Sequence, residues 1–85
     1  MNRYKAIVID DEPAARRLMR SLLSEHSDIV EVIDEASSGD QAIRKVEELD
    51  PDLIFLDIQM PDMTGFEVLE RLAKKPNVIF TTAYE

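Results

Sequence analysis

The chain has 85 residues, a formal net charge of −8, 45% hydrophobic and 33% charged residues, and no cysteine. This length allows one domain, and one that buries only about 60–65% of the surface its unfolded form exposes. The acid excess argues against binding of nucleic acid or an anionic membrane by this segment. The lack of cysteine excludes disulfides and thiolate metal sites. There is no apolar leader and no run near the ~18 residues of a membrane span, so a cytoplasmic protein with no membrane partner is expected.

Lys5 to Asp10 is β-branched, continuous and bounded by charge, which predicts a short buried strand. Asp11-Glu12-Pro13 then opens a helix, since proline suits a first turn and acids suit the positive end of the dipole. Ala15, Leu18, Met19, Leu22 and Leu23 recur at helical spacing, with Arg16, Arg17 and Arg20 opposite them as a solvated face. Glu31 to Ala36 is a weaker second strand. Ser38 and Gln41 fit a capping box for a second helix carrying Ala42, Ile43, Val46 and Leu49, which Pro51 stops. Leu53 to Asp57 is the third strand. Thr64 and Glu67 form another capping box, followed by a stripe of Phe66, Leu69, Leu72 and Ala73 that Pro76 closes. Val78 to Thr82 is the fourth strand.

The order β-α-β-α-β-α-β implies an α/β fold, a parallel sheet covered by helices on both faces. In such a sheet every strand's carboxyl end lies on one rim, where ligands bind. Asp10 and Asp11 follow the first strand, Asp57 ends the third and Thr82 the fourth. Asp57 closes the apolar run Leu53 to Leu56, where an ionised carboxylate is costly unless something holds it. If strands one and three are neighbours, three carboxylates share one crevice; an order of 1-2-3-4 would separate them. Like charges ~4 Å apart repel by about 4 kcal/mol at an effective dielectric near 20. Three such groups need a cation, or one must hold a proton; a hard divalent ion such as Mg2+ serves, with a backbone oxygen such as that of Gln59 and water completing its shell. Asp57 would then be placed to attack a phosphoryl group, with the Thr82 hydroxyl donating to the product. A register slip by one would give that role to Thr81.

Ile9-Asp10-Asp11-Glu12, Phe55-Leu56-Asp57-Ile58-Gln59-Met60-Pro61 through Gly65, and Thr82-Ala83 closely resemble the receiver domain of bacterial two-component response regulators. The resemblance covers residues 1–85, and the stretches DDEPAARRL and FTTAYE look like the LytR/AlgR (LytTR) subgroup, whose output domain binds DNA. It implies a flavodoxin-like, CheY-like, doubly wound sheet in the order 2-1-3-4, incomplete at the C-terminus, with strand five and helices four and five missing. It further implies Asp57 as the phosphoacceptor and Thr82 as the switch hydroxyl. Mg2+ would be held by the side chains of Asp11 and Asp57 and by the Gln59 carbonyl, with Asp10 acting largely through water, and a sensor histidine kinase would be the donor. The family's strand-five lysine has no counterpart among Lys5, Lys45, Lys74 and Lys75. Strand four would then be an apolar edge inviting self-association, and DNA would be reached only through a separate output domain.

The resulting expectation is a phosphorylation-controlled signalling switch in transcription regulation, not a turnover enzyme. One alternative is a receiver-like interaction domain that is never phosphorylated. The other is a metal-dependent phosphatase with an aspartyl-phosphate intermediate. Many such hydrolases place a general acid two residues after the nucleophile, and here that position is Gln59, which cannot act as one.

Overall fold

The structure, a computed structural model, describes residues 3–81. Its elements are β1 (Tyr4–Ile9), α1 (Pro13–Ser24), β2 (Val30–Ala36), α2 (Gly39–Leu49), β3 (Leu53–Asp57), α3 (Gly65–Arg71) and β4 (Asn77–Thr81). The four strands form one parallel sheet in the order β2-β1-β3-β4. This is the doubly wound, CheY-like flavodoxin arrangement expected above. The chain reverses direction of winding between β1 and β3, so the rim beyond those two strands is the crevice of the fold.

Alternation along the strands sorts the core into two layers. Ile7, Ile9, Ile54 and Leu56 point to one face, where Ala42 and Val46 of α2 and Val68 of α3 cover them. Ala6, Val8 and Phe55 point to the other face, against Met19 and Leu23 of α1. The remaining apolar residues of α1 are less covered: Leu18 is 61% and Leu22 50% exposed. No helix among the described residues is long and apolar enough to cross a membrane.

β2 carries an irregularity that its sequence does not announce. Ala6 pairs with Val32 but Ile7 pairs with Asp34, which leaves Ile33 as an extra residue. A bulge of this kind shifts the alternation by one. Ile33 and Asp34 consequently both serve the α2 face, Ile33 against the core and Asp34 against Lys45. Glu35 is turned to the α1 face, where it meets Arg16 and Arg20.

The helix boundaries follow their caps. Ser38 accepts from the Gln41 amide, but the Gln41 side chain takes the amide of Ser37 and not that of Ser38, so the box closes one residue early. α2 ends at Leu49, and Asp50 before Pro51 leaves the right-handed helical region by a left-handed turn at φ 50°. Thr64 and Glu67 make the full reciprocal box. The stripe expected on α3 is corrected in part: Leu72 is buried and Leu69 packs against the core as expected, while Phe66 and Ala73 do not. The helix stops at Arg71, well short of Pro76, and its buried residues are Gly65 and Val68, followed by Leu72 at the cap. Phe66 is 55% exposed and Ala73 is exposed as well. Helical spacing fits Gly65, Val68 and Leu72 as well as Phe66, Leu69 and Ala73, and the close approach of Gly65 to the end of β3 decides between them. Phe66 instead lies against Phe80 of β4, ring centroids 5.1 Å apart.

This assignment is testable by urea denaturation. Leu72→Ala is expected to cost about 2–5 kcal/mol, as for a buried leucine. Phe66→Ala should cost about 1 kcal/mol, the worth of an exposed aromatic pair. A larger cost at Phe66 than at Leu72 would contradict this placement of the two side chains.

Candidate functional site

The register of the sheet builds the site. Ile9 lies opposite Leu56 in the β1–β3 pair, so the next residue of each chain segment is an aspartate, Asp10 and Asp57. Asp11 follows in the turn before α1. Carboxylate oxygens of Asp10, Asp11 and Asp57 all lie within 4.8 Å of one another. Asp57 is 9% exposed and is the buried charged residue of the core. Burial is the main influence pushing its carboxyl above the usual carboxylate range. The negative charge of Asp10 acts in the same direction, and Asp11 adds to it, while the amides of Gln59 and Ile58 oppose them.

The strand-end loops are tied down independently. The Asp10 amide donates to Ala36 of β2 (3.0 Å), and its carboxylate accepts from the Glu12 amide (2.9 Å). Its carbonyl turns away from the sheet to take the Arg16 guanidinium (2.7 Å), which is why β1 ends at Ile9 and not at Asp10. The loop after β3 is held by Asp62, whose two oxygens accept from the amides of Gly39 (2.9 Å) and Asp40 (3.0 Å) at the start of α2. Those two bonds hold the Asp62 carboxyl below its ordinary range. Behind the site, a Cβ at Gly65 would stand 2.6 Å from the Asp57 carbonyl, so only glycine lets α3 start this close to the phosphoacceptor candidate. Gly65 also donates its amide to Ile58. Gln59 is exposed within this loop and bridges to Thr64.

Among the sequence candidates, the fold thus brings Asp10, Asp11 and Asp57 together, with Gln59 two residues on. Thr82 lies outside the described residues. Thr81, the alternative, pairs with Asp57 across β3 and β4. No described lysine reaches the cluster: Lys45 binds Asp34 and the Glu35 carbonyl, Lys74 binds Asp50, and Lys75 binds the Leu72 carbonyl. Two contributors escaped sequence reading. Asp62 gave no periodic or motif signal beyond its place in a polar loop. Arg16 was expected on a solvated face and instead has a side chain only 18% exposed.

The donor set fits a hard cation. It is all oxygen, carries three carboxylates in a space that one ion can serve directly or through water, and includes a buried acid whose ionisation its neighbours oppose. Mg2+ matches that chemistry better than zinc or copper, which favour nitrogen or sulfur.

Comparison with known proteins places these residues in context. Residues 6–85 match the response regulator receiver domain family. The chain is 49% identical over 82 residues to an uncharacterized response regulatory protein of Vibrio vulnificus, covering 94% of this chain and 34% of that one. It is 42% identical over 83 residues to the transcriptional regulatory protein BtsR of Escherichia coli K12, covering 95% and 34%. The chain therefore spans about a third of the length of the curated relatives it matches. Its fold is similar to that of the response regulator domain of Thermotoga maritima CheB, with a TM-score of 0.86 and 32% identity over 95% of this chain and 61% of that one.

The electrostatics of Asp57 predict a stability effect with a defined sign. Its carboxyl is raised in the folded state, so ionisation destabilises the fold, and stability falls as pH climbs from the ordinary value of 3.8 through the raised one. In metal-free buffer at neutral pH, Asp57→Asn should stabilise by about 1–2 kcal/mol by removing a charge that burial disfavours and Asp10 and Asp11 repel. The corresponding rise in Tm is roughly 4–8 °C per kcal/mol for a domain of this size. The gain should vanish below pH 3.8. A loss of stability on Asp57→Asn, or a gain that persists in acid, would contradict this picture.

Proposed function

We propose, on the premise that the chain belongs to the response regulator receiver domain family, that Asp57 accepts a phosphoryl group from a sensor histidine kinase and so switches an output. The observation carrying this reading is the convergence of Asp10, Asp11 and the buried Asp57 on one rim of the sheet. Asp10, Asp11 and Asp57, with the Gln59 carbonyl, would hold Mg2+. When bound, the ion supplies a Lewis acid that neutralises phosphoryl oxygens. A carboxylate oxygen of Asp57 forms the new bond to phosphorus as the P–N bond of the phosphohistidine breaks. The electron pair of that bond returns to the ring nitrogen, and the imidazole leaves neutral with the proton on its other nitrogen. Burial of Asp57 in a crevice keeps competing water away. The Thr82 hydroxyl is the proposed donor to the phosphorylated carboxyl. Such a protein is a switch that assists its own phosphorylation and does not turn over substrate.

The wider setting is proposed on the same footing. BtsR is named a transcriptional regulatory protein, which supports a role in transcription regulation, with DNA contacted through a separate output domain of the LytR/AlgR (LytTR) type. The charge of −8 keeps this segment itself off DNA. A cytoplasmic location suits a protein phosphorylated by a kinase of that compartment. Self-association belongs to the proposal as well. β4 is an edge of the described sheet, and Ile79 (47%) and Phe80 (40%) stand exposed along it on opposite faces, Phe80 beside Phe66. Unpaired backbone groups on an apolar edge are a template for a second copy. Sedimentation velocity should therefore show a concentration-dependent rise in mass, reduced by Ile79→Lys; a strict monomer at all concentrations would refute it.

Incubation with Mg2+ and acetyl phosphate, read by intact mass, tests the main proposal. One phosphoryl group should be gained, and the gain should vanish in Asp57→Asn and on chelation of the metal. Absence of the adduct in the unsubstituted chain would favour an interaction domain. Steady release of inorganic phosphate from small phosphate esters would favour a phosphatase.

A further inference from the structure

We infer that Arg16 is a positioning residue for the cation site, acting through the Asp10 peptide and anchored by Glu35. The inference rests on the reading of the acidic crevice as a Mg2+ site. It goes beyond that reading by assigning a role to an arginine that touches none of the proposed ligand atoms.

The geometry is specific. Arg16 donates from Nη1 to the Asp10 carbonyl at 2.7 Å and from Nε to Glu35 Oε1 at 3.0 Å. The planar guanidinium thus spans from the end of β1 to the end of β2. Its side chain is 18% exposed, against 45% for Arg20. Arg20 reaches the other oxygen of Glu35 but makes no bond to Asp10. The Asp10 peptide is consequently gripped at its amide by Ala36, at its carbonyl by Arg16 and at its carboxylate by the Glu12 amide. Those three bonds fix the Asp10 peptide from three sides. The bulge at Ile33 is part of the same device. Regular alternation would have sent Glu35 to the α2 face, and the extra residue turns it toward Arg16.

Charge and position act in opposite directions here, which makes the role separable. A guanidinium beside a cation site repels the cation, so loss of its charge alone would tighten Mg2+ binding. Loss of its grip on the ligand-bearing peptide would weaken binding, typically by about 10–100-fold for a partner that orients a metal ligand. Lysine keeps the charge but lacks the fork that serves a carbonyl and a carboxylate together.

Mg2+ titrations of the full chain, followed by amide chemical shifts at a temperature where each variant is folded, test this. Arg16→Lys is expected to raise the Kd about tenfold, and Arg16→Ala to raise it despite the lost positive charge. Arg20→Ala, which removes the neighbouring contact with Glu35 only, should stay within about twofold. Glu35→Gln keeps the shape of the anchor and should fall between them, and it serves as the readout should Arg16 variants not fold. Arg16→Lys equal to the unsubstituted chain, Arg16→Ala binding more tightly, or equal losses for Arg16→Lys and Arg20→Ala would each overturn the inference. A chain that fails to respond to Mg2+ before any substitution would instead sink the cation site itself.

Discussion

The pairing of β1 with β3 is the constraint on which the rest of this molecule depends. With Ile9 opposite Leu56, the first residues beyond the apolar pairing are acids, and no rotation of side chains can take them far apart. The interior of the sheet fixes this register strongly. A slip of β1 by one residue would turn Ile7 and Ile9 from the α2–α3 layer to the thinner α1 layer while Ile54 and Leu56 stayed behind. The hydrophobic core thereby holds three like charges at a spacing they would not choose. Burial of Asp57 sharpens the conflict, because low dielectric surroundings oppose its ionisation and strengthen whatever resolves it.

Around that core constraint the loops are anchored by single residues. Asp62 ties the loop after β3 to the first amides of α2, Gly65 lets α3 begin against the Asp57 carbonyl, and Arg16 holds the segment after β1. Each anchor joins a site loop to a different element of the scaffold. The crevice is therefore linked directly to the starts of α2 and α3 and to the end of β2.

Much of this was legible in the residues. Continuous apolar runs marked the strands, Thr64 with Glu67 marked the start of α3, and an acid at the end of the run Leu53 to Leu56 marked the site. Strand order was not legible from periodicity, since 2-1-3-4 and 1-2-3-4 place the same residues in the same strands; the motif resemblance supplied it. The face of α3 was read correctly at Leu69 and Leu72 and wrongly at Phe66 and Ala73, because a glycine scores as no hydrophobe, yet Gly65 is the residue that must be buried for the helix to approach β3. Arg16 was misread because an arginine opposite an apolar stripe looks solvated. Its partner Glu35 faces it only by virtue of a bulge, and EVIDEA contains no glycine or other sign of one. Asp62 caps a helix 22 residues earlier in the chain, a distance at which local capping patterns carry no information.

The acidic site is a rim property: rigid strands deliver the acids, and tethered loops set their final geometry. The most direct check on that claim is paramagnetic broadening by Mn2+, an oxygen-seeking divalent ion, read residue by residue in amide spectra of the full chain. Resonances of Asp10 to Glu12 and Asp57 to Gln59 are predicted to disappear first and together, while those of the surface acids Glu47 and Glu48 persist. Broadening that begins elsewhere, or that strikes one strand end without the other, would contradict the account.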